Sequence, residues 1–405
     1  SKCDFRSMAK FEEVLEIAVS ISRLGEKSVT WSFRFTIGPR DVASGEITAV
    51  CCRVNPDGTL SSTPIPQLFL TKLRPFLTPD TCLLPPALSY LEDLTLRLSR
   101  GIAELPEEFR ARQVSYLLAA QREDGGFAGR EGGSDLYYTG FALRSLAMLG
   151  ELYGQPAERA AKFLRSRMSG QESIVDFLSL IYGASLLQSA AGIDIFEQAA
   201  PTWRDSIAGA LDNLRRNDGG YAKGAEGNAS STYHTFLVLL VLELIGKQPP
   251  EPQKIISFLH SQRAEEGGFR EIRASKRAGT NPTAAAIGTL RILGALDQPT
   301  REETIDFLAE MQTDEGGLRA NTRIPIADLL SSFTGLLTLQ DLGGEQEIDL
   351  AEVKKFVQSL SRDEGGFHGA IWDMAHDVEY SFYGLGCLGL LANPKSEIPI
   401  SKSAI

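Results

Sequence analysis

The tetrapeptide Asp218-Gly219-Gly220-Tyr221 is one copy of a block that recurs along this chain. Each copy joins an acidic residue and two glycines to a large apolar residue, and the other copies begin at Asp124, Glu266, Glu315 and Glu364. The last four copies start 48, 49 and 49 residues apart, and the first precedes the second by roughly twice that spacing. A fixed period of this length predicts a repeat architecture.

The sequences that flank each block are also repeated. A helical pattern with one polar face precedes the glycines, as in residues 256–259, and a far more apolar segment follows them, as in residues 235–240. This predicts an outer helix followed by a buried inner helix, with the glycine pair ending the outer helix. Residues 176–183 match the inner pattern without a glycine block. Six hairpins between about Pro106 and Asn393 can then close into a double-layered ring.

The block from Gln121 to Phe127 resembles the repeat shared by protein prenyltransferase β subunits and by squalene or terpene cyclases. The resemblance covers residues 106–395. It implies a mainly α fold, an α6–α6 toroid with a central apolar cavity for isoprenoid chains. One fold hosts several functions, so the repeat identifies the fold better than the reaction.

The first part of the chain has a different pattern. Apolar and polar residues alternate over residues 16–22 and 28–37, and a third predicted strand, 46–54, ends at the turn Asn55-Pro56-Asp57-Gly58. Strict alternation predicts a small antiparallel β segment with one buried face. Three strands alone make a poor independent domain, so this face needs a cover.

This β segment resembles the C-terminal half of a hotdog-fold acyl-CoA thioesterase, through Cys3-Asp4-Phe5, residues 15–28 and Pro64-Ile65-Pro66. The family's central helix and catalytic carboxylate lie in the half that has no counterpart here, so thioesterase activity cannot be placed on these residues. The sequence begins at Ser1 without Met. We expect either preceding residues or a second chain to complete the sheet, and the pairing of hotdog domains implies a homodimer.

The domain boundaries follow from these patterns. We predict a partial hotdog-like segment at 1–72, a Pro-rich linker with a short helix at 73–105, the toroid at 106–395 and a tail at 396–405. The linker assignment rests on the helix-breaking prolines Pro75, Pro79, Pro85 and Pro86.

Composition excludes several partners. The formal charge is −11, and no run of Lys and Arg exceeds two residues, which disfavours nucleic acid and anionic membranes. The five cysteines are scattered, and Cys51 and Cys52 are too close for an ordinary bridge, which favours a reducing, cytoplasmic location. We find no segment that predicts a transmembrane span.

A short polar residue recurs near the start of each inner helix. Aligned on the Ser or Thr that follows four residues later, or on Leu180 in the unit without a glycine block, these positions are Asp135, Asp176, Ser231, Gly279, Asp328 and Asp377. Helix capping explains this pattern. Alternatively, the aspartates form a ring of carboxylates at one rim of the cavity, where they could hold a metal or donate a proton.

The prenyltransferase resemblance implies a zinc site made of an Asp, a Cys two residues on and a His in the next repeat. Asp328 matches, but Leu330 and Tyr380 occupy the other two positions; a second register keeps Asp176 and His234 without the Cys. We therefore expect no metal site of this type and no standard protein prenylation, and magnesium is left open as a cofactor. His234 remains the best single titratable candidate, although a structural role is equally compatible.

The cyclase resemblance implies an Asp-x-Asp-Asp run whose protonated Asp starts the reaction, and this sequence has none. The nearest substitute is Asp377-Val378-Glu379. Two carboxylates held close together can raise the pKa of one of them, as a general acid requires.

A basic cluster lies in the loops that follow the third and fourth blocks, those that begin at Glu266 and Glu315. It consists of Arg270, Arg273, Lys276, Arg277, Arg319 and Arg323. Arg and Lys suit phosphate oxygens, and prenyltransferases bind diphosphate from this general region. The alternative is a solvated loop.

Aromatic residues lie on or just before the inner helices. The predicted cavity residues are Tyr138, Phe141, Tyr182, Tyr233, Phe236, Phe333, Tyr380 and Tyr383. Aromatic faces suit isoprenoid chains, although ordinary packing between the helical layers also uses them.

Three functions remain open. The first is a prenyltransferase-like protein that binds an isoprenoid diphosphate without zinc, and the basic loops favour it. The second is a terpene-cyclase-like enzyme, and the third is a non-catalytic toroid fused to a thioesterase-like hotdog segment. Whether the chain is an enzyme stays open.

Overall fold

A computed structural model describes residues 2–10, 13–24, 27–54, 60–63, 65, 88–168, 173–227 and 229–392. It divides the chain into two compact units, Ser1–Leu88 and Ser89–Ile405. The predicted turn 55–58, Pro64, Pro66, the linker prolines and the tail 396–405 lie outside the described residues.

The first unit contains a four-stranded antiparallel sheet. Its strands are β1 (Lys2–Phe5), β2 (Glu16–Leu24), β3 (Ser28–Ile37) and β4 (Arg40–Val50), in the order β1-β4-β3-β2. A separate pair joins β5 (Cys52–Val54) to β6 (Leu60–Ser62). The small antiparallel sheet is confirmed, but the third predicted strand, 46–54, is wrong in extent because pairing with β3 begins at Arg40 and the strand divides at Cys51.

The apolar face of this sheet is only partly buried. Ile21 pairs with Trp31, and Trp31 pairs with Ile47, so all three lie on one face. Ile21 is 2% exposed whereas Ile47 is 50% exposed. The expectation of one uniformly buried face is therefore wrong for the described residues. The hotdog relationship and the homodimer stay predictions.

The second unit alternates outer and inner helices after a first helix, α1 (Tyr90–Ala103). The outer helices are α2 (Glu107–Ala119), α4 (Gly154–Ser166), α6 (Trp203–Asp212), α8 (Pro252–Ser261), α10 (Gln298–Ala309) and α12 (Leu350–Ser359). The inner helices are α3 (Leu136–Met148), α5 (Ile174–Ala191), α7 (Thr232–Leu244), α9 (Thr280–Ile292), α11 (Leu329–Leu342) and α13 (Val378–Ala392). A 3-10 turn at Glu345–Glu347 and the hairpin β7 (Phe367–Ala370) and β8 (Asp373–Asp377) complete the unit.

The inner helices form a closed ring. Each packs against the next in chain order, and α13 packs against α3. Their side chains are buried around almost the whole helix, whereas the outer helices bury one face. The predicted mainly α toroid with two helical layers is confirmed.

In four of the five blocks, one hydrogen bond ties the block to the inner helix that follows it. The backbone N–H of the apolar residue after the glycine pair donates to a hydroxyl one turn into that helix, at 2.9 Å in each case; the pairs are Phe127 with Thr139, Tyr221 with Thr235, Phe269 with Thr283 and Leu318 with Ser332. These hydroxyls are buried. The recurring Ser or Thr used to align the repeats therefore has a structural role, because a buried N–H must be paired.

The glycine pair does not end the outer helix, and that prediction is wrong. In the fourth repeat α8 ends at Ser261, and Gly267 lies in a turn closed by its own N–H on the carbonyl of Ala264. Gly267 has a φ of +89°, and a Cβ there would lie 2.5 Å from the carbonyl oxygen of Glu303 on the next outer helix. Backbone conformation and close packing between neighbouring repeats both require glycine.

The helix predicted inside the linker belongs to the second unit. The division between the units falls after Leu88, not at residue 105, and α1 extends from Tyr90 to Ala103. It begins with a capping box, in which Ser89 and Glu92 each accept a hydrogen bond from the other's backbone N–H.

One described helix, α5, is long and apolar enough to cross a membrane by length and composition. The sequence prediction did not single it out. It packs in the ring between α3 and α7, and a buried core helix has the same composition as a membrane span.

Candidate functional site

The ring encloses a cavity of about 440 Å³. Its wall is mostly apolar and aromatic, with side chains from all six inner helices and from α1. This volume lies within the range of small-molecule sites, roughly 300–1,000 Å³. The cavity is the candidate binding site.

Helix α1 closes the end of the ring where the inner helices terminate. Its first N–H, on Tyr90, donates to the carboxylate of Glu243 near the end of α7 at 2.8 Å. Its Arg97 donates to Asp341 near the end of α11 at 2.6 Å. Leu91, Leu94, Thr95 and Leu98 of α1 then form the floor of the cavity. The segment predicted as a linker therefore builds part of the site.

A buried charged network fixes this floor. Asp341, whose side chain is 3% exposed, pairs with both Arg97 and Arg291. The hydroxyl of Tyr90 donates to the same carboxylate at 3.4 Å, and burial raises the pKa of Tyr90. Both guanidinium groups thus share one buried counter-ion.

The opposite rim is formed by the N-terminal ends of the inner helices. The second residue of each helix points toward the ring centre; these residues are Tyr137, Val175, Tyr233, Asn281, Leu330 and Glu379. The first five line the cavity. One helical position thus defines the rim, and neighbouring positions along the helices define the wall.

The predicted ring of carboxylates consists mainly of helix caps. Asp135, Asp328 and Asp377 each accept a backbone N–H three residues on, at 2.7–2.9 Å. Ser231 caps α7, and Gly279 provides no side-chain cap for α9. The alignment of Asp176 is wrong, because Ser173 caps α5 and Asp176 lies in its first turn. Carboxylates engaged in this way satisfy helix N–H groups.

Glu379 is different, because its carboxylate lies beside the cavity wall. It accepts a hydrogen bond from Tyr137 at 2.6 Å and another from Tyr383 at 3.5 Å, and both tyrosines line the cavity. Burial raises the pKa of Glu379 against the opposing hydrogen bond from Tyr137, and the nearby Asp377 raises it further. A protonated carboxyl group at this position can donate to a cavity ligand.

The carboxylate of Asp377 is engaged in other contacts. Besides capping α13, it accepts from the guanidinium of Arg130 at 3.3 Å, and Arg130 also pairs with Asp373 and stacks on Tyr380. The predicted pair Asp377 and Glu379 therefore has two separate environments, one ion-paired and one beside the cavity.

His234 belongs to a small polar group at the rim. The hydroxyl of Ser231 lies 2.7 Å from its Nδ1 and also donates to Glu271. Burial lowers the pKa of His234, and Lys223 adds to this effect, while burial raises the pKa of Glu271. Glu271 lines the cavity, whereas His234 does not. Glu271 was missed from the sequence, since a single Glu in a loop gives no signal.

The predicted basic cluster divides into two sets. Arg270 donates to the backbone carbonyl of Arg263 at 2.9 Å, and Arg319 donates to that of Glu310 at 3.0 Å. Both arginines therefore have a structural role. Arg273, Lys276, Arg277 and Arg323 are exposed, and none of these four forms an ion pair with a described residue. We call these four the rim cations.

The rim cations lie in two loops, and the first of these loops contributes Glu271 to the cavity lining. Their two loops are joined by a hydrogen bond from Arg277 to Thr322 at 3.0 Å. The first loop leads directly into Gly279 and α9, whose residues Asn281 and Pro282 line the cavity. This helix end has no side-chain cap, its first N–H, on Thr280, donates to the carbonyl of Ala320 at 2.9 Å, and its positive dipole end lies beside the loop.

Six of the eight predicted aromatic residues line the cavity: Phe141, Tyr182, Tyr233, Phe236, Phe333 and Tyr383. Tyr138 and Tyr380 lie outside the lining. The lining also includes Tyr90, Tyr137 and Arg144, which the predicted set omits. The sequence could have identified Arg144 as a lone cation within an otherwise apolar helix. Whether its side chain points into the cavity depends on the fold.

The residues at the predicted zinc positions do not fit a zinc ion. Asp328 is occupied by two hydrogen bonds from Ser331, Leu330 is apolar, and Tyr380 stacks on Arg130. Within the described ranges, no three His, Cys, Asp or Glu side chains are grouped as metal ligands. We derive no step through a metal.

A family model of the prenyltransferase alpha-alpha toroid domain matches residues 88–233 and 230–404. Because these segments cover most of the chain, the protein belongs to this family. No curated protein matches the sequence.

Solved structures show the same fold. The chain is similar to Candida albicans protein geranylgeranyltransferase-I complexed with GGPP, at 15% identity and a TM-score of 0.53, covering 74% of this chain and 90% of that one. It also matches the type II terpene cyclase MstE from Scytonema, at 16% identity and a TM-score of 0.49, covering 74% and 98%. At 15% identity, the similarity to the geranylgeranyltransferase establishes the fold alone.

Proposed function

We propose that this protein binds an isoprenoid diphosphate, with the chain in the toroid cavity and the diphosphate at the rim cations. The observation that carries the proposal is an aromatic cavity beside loops that carry four exposed cations, none of which is ion-paired with a described residue. The geranylgeranyltransferase structure is a complex with GGPP, a ligand of this chemical class.

The two ends of the cavity suit the two ends of such a ligand. The floor is closed by leucines of α1, and on the wall Phe382 contacts both Phe141 and Phe333, with ring centroids 5.4 Å apart in each pair. Apolar surface stabilises a buried hydrocarbon chain by about 25 cal/mol per Å². Phosphate oxygens instead need Arg and Lys donors, which the rim supplies.

The acidic residue in the cavity lining, Glu271, does not oppose the proposed binding of a diphosphate. Glu271 lines the cavity, but burial raises its pKa and Ser231 donates to it. A carboxyl group that is more readily protonated repels an anion less.

Transfer of the isoprenoid to an acceptor, without zinc, is part of the same proposal.

Replacing Arg273 and Lys276 together with alanine should weaken farnesyl diphosphate binding at least about tenfold, because two phosphate contacts are lost. Calorimetric titration with farnesyl and geranylgeranyl diphosphate, with and without magnesium, measures this. The matched control is Lys354→Ala with Lys355→Ala, an exposed pair on α12 that removes the same charge. An equal loss in both double variants, or none in either, would contradict a rim site.

A second candidate is proton-initiated cyclisation of an isoprenoid. Glu379 favours it, as a buried carboxyl with a raised pKa beside two cavity tyrosines. Arg144 disfavours it, because its guanidinium already lies over the rings of Phe141 and Phe382, whose faces would otherwise stabilise a carbocation.

The protonation of Glu379 predicts a pH dependence. A raised carboxyl pKa stabilises the folded state at pH values below the unfolded pKa, about 4.3, and this contribution is lost as the pH rises through the raised value. Glu379→Gln should therefore gain stability relative to the wild type as the pH rises above about 4.3. Chemical denaturation across a pH series that begins near the unfolded carboxyl pKa, about 4.3, measures the difference.

Tyr137→Phe provides the comparison, since it removes the hydrogen bond that lowers the Glu379 pKa. It should move the pH dependence upward. If the stability difference between the wild type and Glu379→Gln were the same at every pH, Glu379 would not be the acid that proton-initiated cyclisation requires.

A further inference from the structure

Arg144 is a cation inside the apolar cavity. It lies on α3, seven residues after Tyr137, so it is about two turns below the rim. The equivalent positions on the other inner helices are Tyr182, Leu240, Gly288, Leu337 and Gly386. Since the ring is built without a charge at this position in five repeats, its fold does not require Arg144.

Aromatic rings surround the guanidinium. Its Cζ lies 5.0 Å from the ring centroid of Phe141, 5.1 Å from that of Tyr182 and 5.8 Å from that of Phe382. All three rings line the cavity. These contacts orient the group and favour a cation at this position, because the ring faces are electron-rich.

The same guanidinium has no counter-ion. Arg144 forms no ion pair within the described part of the chain, and its buried Nε–H has no hydrogen-bond acceptor. The contrast with Arg97 and Arg291, which share Asp341, is direct. A buried cation without an acceptor is costly, and a ligand that brings an acceptor recovers that cost.

Resting on the isoprenoid cavity proposed above, we propose that Arg144 forms a second, interior anion subsite, which takes the carboxylate of an isoprenoid or other apolar-chain acid. A planar guanidinium matches a carboxylate through two parallel hydrogen bonds. One cation neutralises one negative charge. A diphosphate would leave excess charge in an apolar cavity, so it belongs at the rim cations, which are exposed to water.

Titration with farnesoic acid and with farnesol at pH 7.5 (about three units above a carboxyl pKa), both below micelle-forming concentrations, tests this subsite. We expect the acid to bind at least about tenfold more tightly than the alcohol, as a charge-assisted hydrogen bond predicts. Arg144→Met should reduce this ratio to about one while farnesol binding is retained. Arg144→Lys, which keeps the charge and loses the planar fork, should give an intermediate ratio and serves if the Met variant does not fold.

Two control variants locate the effect. Arg204→Met removes an arginine that stacks on Trp203 of the outer helix α6, at 4.4 Å, and should leave the ratio unchanged. Arg273→Ala with Lys276→Ala should weaken diphosphate binding and leave the acid-to-alcohol ratio unchanged.

A ratio near one in the wild type, or a ratio unaffected by both Arg144 variants, would overturn the interior subsite while the isoprenoid cavity stands. If neither farnesol, farnesoic acid nor farnesyl diphosphate binds, the proposed function and the subsite both fail.

Discussion

Replacing Asp341 with alanine should destabilise the protein by about 3–5 kcal/mol, because it leaves two buried guanidinium groups without their counter-ion. Asp341 is almost fully buried, and it pairs with Arg97 at 2.6 Å and with Arg291. Desolvation makes an uncompensated buried charge far more costly than an exposed one. Chemical denaturation monitored by circular dichroism measures the loss.

The control is Asp205→Ala, which breaks an exposed ion pair with Lys247 and should change stability by no more than about 1 kcal/mol. The Asp341 variant should also lose affinity for every cavity ligand, since Asp341 holds α1 across the floor. A loss below about 1 kcal/mol would show that the network does not hold α1 in place.

Gly101→Ala should cost about 3 kcal/mol, the second large effect, through overpacking against backbone. A Cβ on Gly101 would lie 1.8 Å from the carbonyl oxygen of Gly389 on α13. The gain in helix propensity from glycine to alanine is only about 1 kcal/mol, so the steric cost is larger. Helix α1 must move away from α13, which opens the floor; thermal unfolding and farnesol titration measure the two consequences.

Gly209→Ala is the matched control, since Gly209 also lies within a helix, α6, and nothing lies within 4 Å of its added Cβ. That variant should gain about 0.5–1 kcal/mol. If Gly101→Ala were also stabilising, the close contact between α1 and α13 would not exist in solution.

The repeat itself was predictable because its physics is local. The spacing of the Gly-Gly blocks, the polar face of the outer helices and the apolar inner helices follow from residues within one turn or one hairpin of each other. Thr235 could be recognised as a repeat position, although its hydrogen bond with Tyr221 became evident only in the structure. The glycine pair was recognised too, but it was placed at a helix end instead of in the turn beyond it.

The candidate site was predictable only in part. Aromatic residues on inner helices were a sound guide, since most inner-helix faces are buried and some must face the ring centre. Periodicity does not separate the cavity face from the packing face of a helix that is apolar all round, so Tyr137 and Tyr138 could not be ranked. Arg270 and Arg319 resembled phosphate ligands by residue type, but the loop geometry directs them to backbone carbonyls.

The sequence by itself determined the period, the alternation of outer and inner helices and a mainly α ring, because each depends on local patterns of apolar and polar residues. Only the tertiary structure decided that α1 closes the cavity, that Arg97 meets Asp341 across 244 positions of sequence, and that Glu379 and Arg144 face the cavity. Those contacts arise when the ring closes and brings distant repeats together. No local pattern encodes that closure, and the chemistry of the site depends on it.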